Sequence, residues 1–271
     1  MYESHWKLNH RPFDDCAVTS FYSPCQPHQS ALLKLRYLLD QRKGVGTIVG
    51  DHGLGKTLLT HVLEEEARED GIGPFVRLVI PQLSASETLA YLAQRLGADV
   101  KDCASESLVL RKLETLLAES QQDEQHVVFL IDDAHLLNMD HLQALRLLLN
   151  LRESGVADFS LLLAGRTDLL ARLKRINPLD QRVAVRASLR PLEKSEVHEY
   201  LDHRMQVAGG QSGTFSHEAA QAVWELSGGI PRRINQIADL ALLVGFVDEL
   251  THIGAIEVTA AADELFSTKA A

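Results

Sequence analysis

Short apolar runs alternate with longer amphipathic stretches along the first 190 residues of the chain. An uninterrupted apolar run such as "VVFLI" is typical of a strand that is buried on both faces. Between these runs, apolar residues recur at the three- and four-residue spacing of a helix. The pattern predicts strands at 45–50, 74–80, 126–133, 158–165 and 182–189. It predicts helices at 28–43, 56–70, 85–97, 106–120, 138–154 and 167–175.

Strands that alternate with helices indicate an α/β fold, in which helices cover both faces of a mostly parallel sheet. The pattern changes after "RPLEKSE" (190–196), because the remaining periodicity is helical. Helices are predicted there at 195–207, 216–227, 231–247 and 258–266. We therefore predict an α/β domain over residues 1–190 and a small all-helical domain over residues 191–271.

Composition narrows the classes of function. The chain of 271 residues carries a net charge of −10, which disfavours a general nucleic-acid-binding surface, since such surfaces are basic. The N-terminus lacks the apolar segment of a signal peptide, and residues 238–247 provide only about half of the roughly 20 residues that a membrane helix needs. Cys16, Cys25 and Cys103 show no CxxC pairing. These features predict a cytoplasmic protein in a reducing compartment.

One motif carries a specific chemistry. The sequence "GDHGLGKT" (50–57) matches G-x-x-x-x-G-K-[ST] and stands between a predicted strand and a predicted helix. Its glycines let backbone N–H groups surround phosphates, Lys56 reaches the β- and γ-phosphates, and the Thr57 hydroxyl binds Mg²⁺. The residues predicted to bind the nucleotide are Gly50, Asp51, His52, Gly53, Leu54, Gly55, Lys56, Thr57 and Leu58.

A second motif supplies the acids that a phosphate loop requires. The run "VVFLI" is followed by Asp132 and Asp133. A carboxylate at the end of an apolar strand holds Mg²⁺ in phosphate-loop proteins, which predicts that role for Asp132. Asp133, where many ATPases have Glu, is predicted to polarise the attacking water; the alternative is that it only terminates the strand. Together the two motifs predict an ATPase that uses ATP and Mg²⁺.

With these motifs the chain resembles an AAA+ ATPase, and more narrowly the general secretion pathway protein A (ExeA-like) family, which is related to ATPases that assist transposition. The resemblance extends over nearly the whole chain, from "PFDD" (12–15) to "GGIPRRINQIADLAL" (228–242). Its more specific parts are "LLLAGRTDLLARL" (161–173) and "DQRVAVRASLRPL" (180–192). The resemblance implies a phosphate-loop α/β domain followed by a helical lid.

The resemblance also implies roles for single residues. Arg166 occupies the sensor 1 position, where the family commonly has Gln. Arg182 corresponds to an arginine finger, which reaches the γ-phosphate of a neighbouring subunit. Arg232 corresponds to sensor 2 on the lid helix, with the adjacent Arg233 as the alternative. The candidates for packing against adenine are Phe13, Tyr22 and His28.

Three functions follow from the sequence. The leading one is a homo-oligomeric ATPase that assembles or remodels a partner in a secretion or pilus-type system. Some secretion-type members continue into a transmembrane helix and a peptidoglycan-binding domain, and this sequence contains neither, so we expect work on the envelope to pass through a partner protein. The alternatives are a DNA-associated helper ATPase, favoured by the charges of "PRRINQ" and "ARLKR", and a nucleotide-dependent scaffold with little turnover.

Overall fold

The computed structural model describes residues 1–79, 83–99 and 105–267. Cys103 and the predicted end of the second strand at Ile80 lie outside these ranges. In the described residues, five strands form one sheet in the order β2-β3-β4-β1-β5, and every pair of neighbours is parallel. The strands are β1 (Val45–Val49), β2 (Phe75–Leu78), β3 (Val127–Ile131), β4 (Phe159–Gly165) and β5 (Val183–Ser188).

Helices separate the strands and make up most of the C-terminal part. The first seven are α1 (Gln26–Asp40), α2 (Lys56–Glu69), α3 (Ala85–Arg95), α4 (Glu106–Gln122), α5 (Met139–Glu153), α6 (Asp168–Lys174) and α7 (Asn177–Asp180). The C-terminal four are α8 (Lys194–Val207), α9 (His217–Ser227), α10 (Pro231–Val247) and α11 (Ala255–Ser267). The predicted α/β fold with a helical C-terminal region is confirmed, and the predicted element ends differ from these by three residues or fewer. The sequence pattern did not predict the four-residue α7.

Burial along the strands follows their position in the sheet. Every residue of β1, β3 and β4 is buried, because these central strands are covered on both faces. The edge strand β5 instead alternates between buried and exposed residues along most of its length. Phe129 and Phe159 pack edge to face in the core of this unit, with ring centroids 5.5 Å apart. Since all the strands are parallel, their carboxyl ends lie along the same edge of the sheet.

The contacts divide the chain into two compact units. The sheet unit comprises Ser30–His52 and Val62–Leu189. The second unit comprises Met1–Gln29, Gly53–His61 and the residues from Arg190 onward. The domain boundary predicted at residues 190 and 191 stays a prediction. Within the described part of the chain, no helix has both the length and the apolar character that are needed to cross a membrane.

The second unit has a core of its own, in which the N-terminal segment packs with the C-terminal helices. The Trp6 indole N–H donates to the Leu242 carbonyl at 3.0 Å, and the Asn9 N–H donates to the Ala208 carbonyl at 2.7 Å. These bonds connect residues more than 190 positions apart in the sequence. The extreme N-terminus is therefore an integral part of this unit.

Candidate functional site

The predicted phosphate loop joins β1 to α2 and includes two glycines that no other residue type could replace without strain. Gly53 and Gly55 have φ angles of +80° and +86°, a region that residues with a Cβ disfavour. A Cβ at position 53 would lie 2.9 Å from the Cβ of Arg232, and one at position 55 would lie 3.2 Å from Nε2 of His28. The conformation and the close surroundings of the loop therefore both require glycine.

The start of α2 is suited to an anion. The first N–H groups of a helix have no partner within the helix, and the positive end of the helix dipole lies there. The first turn of α2 contains no acidic residue, and the Lys56 side chain at its start is only 9% exposed. Leu54 in the loop is buried as well. A loop of this shape, followed by a sheltered lysine at a helix start, fits a phosphate group.

The N-terminus of α10 contacts the phosphate loop directly. The Arg232 N–H, in the first turn of α10, donates to the Gly53 carbonyl at 3.2 Å. The Arg232 Nε also lies 3.1 and 3.0 Å from the two carboxylate oxygens of Asp15. Arg233 is exposed. Of the two adjacent arginines, Arg232 is therefore the one that the fold brings to the phosphate loop, although its sensor 2 role stays a prediction.

His28, near the start of α1, is a buried residue that contacts the phosphate loop. Its ring is 7% exposed, and its Nε2 lies 2.9 Å from the Leu54 carbonyl oxygen. Phe13 is also buried and packs edge to face on Phe215, with ring centroids 5.7 Å apart, whereas Tyr22 is partly exposed. Both Phe13 and His28 are thus engaged in packing. Adenine binding by any of the three residues stays a prediction.

Burial lowers the pKa of His28 below the ordinary histidine value, because the charged ring would lose its hydration. The unfolded chain therefore takes up a proton near pH 6.5 that the folded chain binds only at lower pH. We expect the free energy of unfolding to fall as the pH drops below about 6.5, by at most about 1.4 kcal/mol per pH unit from this group. Urea unfolding at pH 7.5 and 5.5 measures this effect. Between these two pH values, the free energy of unfolding should fall less in His28→Gln than in wild type.

The matched control for this experiment is His10→Gln, because His10 is an exposed histidine in the same unit. This variant should keep the wild-type dependence on pH. Equal losses of stability in wild type and His28→Gln would contradict the expectation.

In the sheet unit, the two acids of the second motif follow β3. Asp132 is 5% exposed, and its N–H donates to the Leu78 carbonyl at 2.9 Å, which continues the pairing of β3 with β2. Its Oδ1 accepts the N–H of Asp133 at 2.9 Å. Asp133 adopts a left-handed conformation, with φ 47° and ψ 34°, and its side chain is 56% exposed. The turn therefore buries one carboxylate and directs the next one into solvent.

Two further elements end at the same edge as these acids. Gly50 follows β1 and donates its N–H to the Gly165 carbonyl at 3.2 Å. Arg166 follows β4, the strand between β1 and β3, and is exposed. The sheet unit thus brings together the first residue of the phosphate loop, Asp132, Asp133 and Arg166 along one edge.

Arg182 lies at the amino ends of the strands, opposite to the carboxyl ends that the acids follow. It precedes β5, whose Val183 pairs with Val45 at the start of β1. Its Nη1 donates to the Arg146 carbonyl at 3.0 Å, and its Nη2 donates to Asn150 Oδ1 at 3.0 Å and to Glu153 Oε2 at 2.6 Å. All three acceptors belong to α5. Within the sheet unit, Arg182 is therefore separated from Asp132, Asp133 and Arg166. The role of Arg182 as an arginine finger stays a prediction.

The sequence reasoning assigned no role to Asp15, Asn150 or Glu153, although each contacts an arginine that it singled out. The only local signal for Asp15 was the pair of acids in "PFDD". Asn150 and Glu153 lie on the exposed side of a regular amphipathic helix, where polar residues are expected in any protein. These contacts depend on long-range packing, which a sequence pattern does not report.

Comparison with known proteins agrees with this geometry. Residues 39–173 match the family described as AAA domain. Over 273 aligned residues the chain is 29% identical to General secretion pathway protein A of Aeromonas hydrophila, and the alignment covers 97% of this chain and 50% of that protein. The chain therefore spans about half the length of this relative. The resemblance that the sequence motifs predicted is confirmed.

Several solved structures have a similar fold. One is Cdc6p of Pyrobaculum aerophilum, with a TM-score of 0.72 and 19% identity, over 91% of this chain and 71% of that one. Another is the RuvB Holliday junction branch migration motor of Thermotoga maritima, with a TM-score of 0.63 and 18% identity, over 91% of this chain and 73% of that one. At these identities the similarity establishes the fold alone.

Proposed function

We propose, from the premise that the chain belongs to the AAA+ ATPases, that it binds ATP with Mg²⁺ and hydrolyses it to assemble or remodel a partner protein. The observation that carries this proposal is the phosphate loop itself. Gly53 and Gly55 have the conformations that the motif requires, Lys56 is sheltered at the start of a helix, and α10 closes on the loop through Arg232. A tight turn that binds no ligand would not require this combination of features.

The two motifs supply the groups that would contact the phosphates and the metal ion. Lys56 neutralises the β- and γ-phosphates, and the N–H groups of the loop and of the first turn of α2 donate to phosphate oxygens. Thr57 and Asp132 are the residues that would hold Mg²⁺. When bound, Mg²⁺ neutralises charge on the β- and γ-phosphate oxygens. The buried position of Asp132 suits a residue whose carboxylate meets a cation instead of water.

Asp133 is the residue that we assign to the attacking water. Its carboxylate is exposed, so water reaches it, whereas the Asp132 before it is buried. Aspartate tolerates the left-handed conformation of this residue better than most residues do. The carboxylate accepts a hydrogen bond from the water and orients it toward the γ-phosphate, as a water-positioning residue does in phosphoryl transfer.

We expect Asp133→Asn to bind ATP with wild-type affinity and to lose turnover by about 10²-fold or more, because only the charge that polarises water is removed. Asparagine has nearly the same shape and also favours the left-handed conformation, so the turn is preserved. Asp133→Glu tests the length of the side chain, since a faster rate would mean that the shorter acid slows hydrolysis. Binding is measured by calorimetry, and turnover by phosphate release.

Asp140→Asn is the control for this experiment, because it removes an exposed carboxylate from the first turn of α5. It should leave both binding and turnover unchanged. Wild-type turnover in Asp133→Asn would exclude Asp133 as the water-polarising residue. Tight ATP binding without measurable turnover in the wild-type chain would instead favour the nucleotide-dependent scaffold.

The proposed process is secretion, because the name of the matching Aeromonas protein refers to a general secretion pathway. The partner we propose is an envelope protein that the ATPase assembles or remodels. The experiment compares two strains of the host, one with the gene deleted and one with the Asp133→Asn variant in its place. In both strains the assembly of the secretion apparatus is measured. Normal assembly and secretion in both strains would reject secretion as the process. The proposal that the protein hydrolyses ATP would still stand.

DNA-stimulated hydrolysis is the second candidate, and exposed cations in and beside α6 favour it. Arg166, Lys174 and Arg175 are exposed on a chain whose net charge is −10. Binding of DNA through these cations would weaken with rising salt. Stimulation of turnover by double-stranded DNA, lost in Lys174→Glu with Arg175→Glu, would support this function over the remodelling of a protein.

A further inference from the structure

We infer that Asp15 is a positioning residue that holds the Arg232 side chain beside the phosphate loop and that the γ-phosphate of ATP displaces it from this pairing. The inference rests on the proposed function, since it assumes that the loop binds ATP. The N-terminal segment would then respond to the presence of the third phosphate on the nucleotide. ATP would break the pair of Asp15 and Arg232, whereas ADP would leave it intact.

The backbone of Arg232 is fixed against the loop independently of its side chain. Its N–H donates to the Gly53 carbonyl at 3.2 Å, and its Cβ lies 2.9 Å from the place where a Cβ of residue 53 would stand. The preceding Pro231 occupies the first position of α10 and is buried, which fixes the start of the helix. The guanidinium of Arg232 therefore extends from a point that is in contact with the phosphate-binding backbone.

Asp15 is held in place by an unusual buried cation. Arg204 is 2% exposed, and it donates from Nε to the Pro12 carbonyl at 2.6 Å and from Nη2 to the Asp14 carbonyl at 3.3 Å. Its guanidinium also lies 4.7 Å from the centroid of the Phe21 ring. A buried guanidinium is costly to desolvate and normally pairs with a carboxylate. Here it fixes the backbone of the residue before Asp15, so an exposed carboxylate stands on an anchored segment.

The geometry of the pair explains why phosphate would displace the carboxylate. Both oxygens of Asp15 share the Nε of Arg232, at 3.1 and 3.0 Å. The side chains of Asp15 and Arg232 are 54% and 39% exposed, so solvent weakens the pairing. A γ-phosphate carries more negative charge than a carboxylate and can accept two parallel N–H bonds from a guanidinium. ATP would also repel Asp15, because the two anions would compete for one cation.

The test is the ratio of the affinities for a non-hydrolysable ATP analogue and for ADP, measured by calorimetry. In Asp15→Asn the competitor for Arg232 is neutral, so the analogue should bind about two- to fivefold more tightly, which is the range expected for an exposed ion pair. The affinity for ADP should change by less. Asp14→Asn is the matched control, because it removes a neighbouring exposed carboxylate, and its ratio should equal that of wild type.

A second variant distinguishes this inference from a general effect of charge. In an Arg232→Ala background, Asp15→Asn should no longer change the ratio, since the residue that both anions compete for is gone. An unchanged ratio in Asp15→Asn, or equal tightening of both nucleotides, would overturn the inference while leaving the proposed function standing. Failure of the wild-type chain to bind either nucleotide would instead reject the proposed function.

Discussion

Lys56→Ala is expected to abolish tight binding of ATP while leaving the fold intact. The Lys56 side chain is sheltered at the start of α2, where it would contact the β- and γ-phosphates. Removing one partner of a buried, hydrogen-bonded charge pair costs about 2–5 kcal/mol. The affinity should therefore fall by roughly 30-fold or more. Alanine favours helices at least as much as lysine, so α2 itself should not be weakened.

Calorimetric titration with ATP and Mg²⁺ measures this effect, and circular dichroism verifies the fold. Lys34→Ala is the control, because Lys34 is an exposed lysine in α1 and the same charge is removed away from the loop. Its affinity should match that of wild type. If folded Lys56→Ala binds ATP as tightly as wild type, the phosphate loop does not bind nucleotide in the way that the motif predicts.

The strands were predictable because the sheet is parallel and covered on both faces. This arrangement requires continuous apolar runs, and "VVFLI" in β3 and "SLLLAG" in β4 are such runs. The edge strand β5, which alternates between buried and exposed residues along most of its length, was also predicted, at 182–189. Among the α-helices of the described residues, only the four-residue α7 was missed, since a single turn contains too few residues to display helical periodicity.

The candidate site was predictable only where function depends on a contiguous motif. The loop at 50–57 and the acids at 132 and 133 are local, so their spacing is visible in the sequence. The contact of Asp15 with Arg232 joins residues 217 positions apart. Apart from the pair of acids in "PFDD", nothing in the sequence near either residue indicates this contact, because it depends on long-range packing of the N-terminal segment, to which Arg204 of α8 contributes. The same holds for the three acceptors on α5 that surround Arg182.

The position of Arg182 has a direct consequence for catalysis. Val45 pairs with Val183 and Val49 with Ser188, so Arg182 and Gly50 lie at opposite ends of β1. At about 3.3 Å per residue, this strand separates them by roughly 16 Å, which is well beyond the length of an arginine side chain. Arg182 therefore does not reach a phosphate at the carboxyl edge of its own sheet. If it contacts a γ-phosphate, that phosphate belongs to a neighbouring subunit.

The contacts of Arg182 with α5 also affect its availability. Nη2 donates to both Asn150 and Glu153, so both of its hydrogens are used. Each pair of parallel N–H donors with which a guanidinium grips a phosphate includes Nη2. A bidentate contact with phosphate therefore requires Arg182 to give up at least one partner on α5. Assembly with a neighbour that carries ATP would supply the competing anion.

Arg182→Ala is accordingly expected to bind ATP nearly as wild type does but to hydrolyse it about 10³-fold more slowly or worse, as in other enzymes that lose an arginine finger. The reason is that the guanidinium stabilises charge that develops in the transition state. If the arginine acts on a neighbouring subunit, an isolated subunit has an incomplete site, and turnover per wild-type subunit should rise with protein concentration. Arg186→Ala is the control, since Arg186 pairs with Asp180 on the exposed side of β5.

Mixing two inactive variants tests whether the site is shared. A subunit with Arg182→Ala keeps its phosphate loop, and a subunit with Lys56→Ala keeps its arginine. If equal amounts of the two variants assemble at random into head-to-tail rings, roughly one interface in four combines an intact loop with an intact arginine. About a quarter of wild-type turnover should therefore return. Co-assembly without recovery, with co-assembly verified by pull-down through a tag on only one of the two variants, would place Arg182 outside a shared site. Turnover by a monomer that is independent of concentration would reject the shared mechanism, because no neighbour could then supply the arginine.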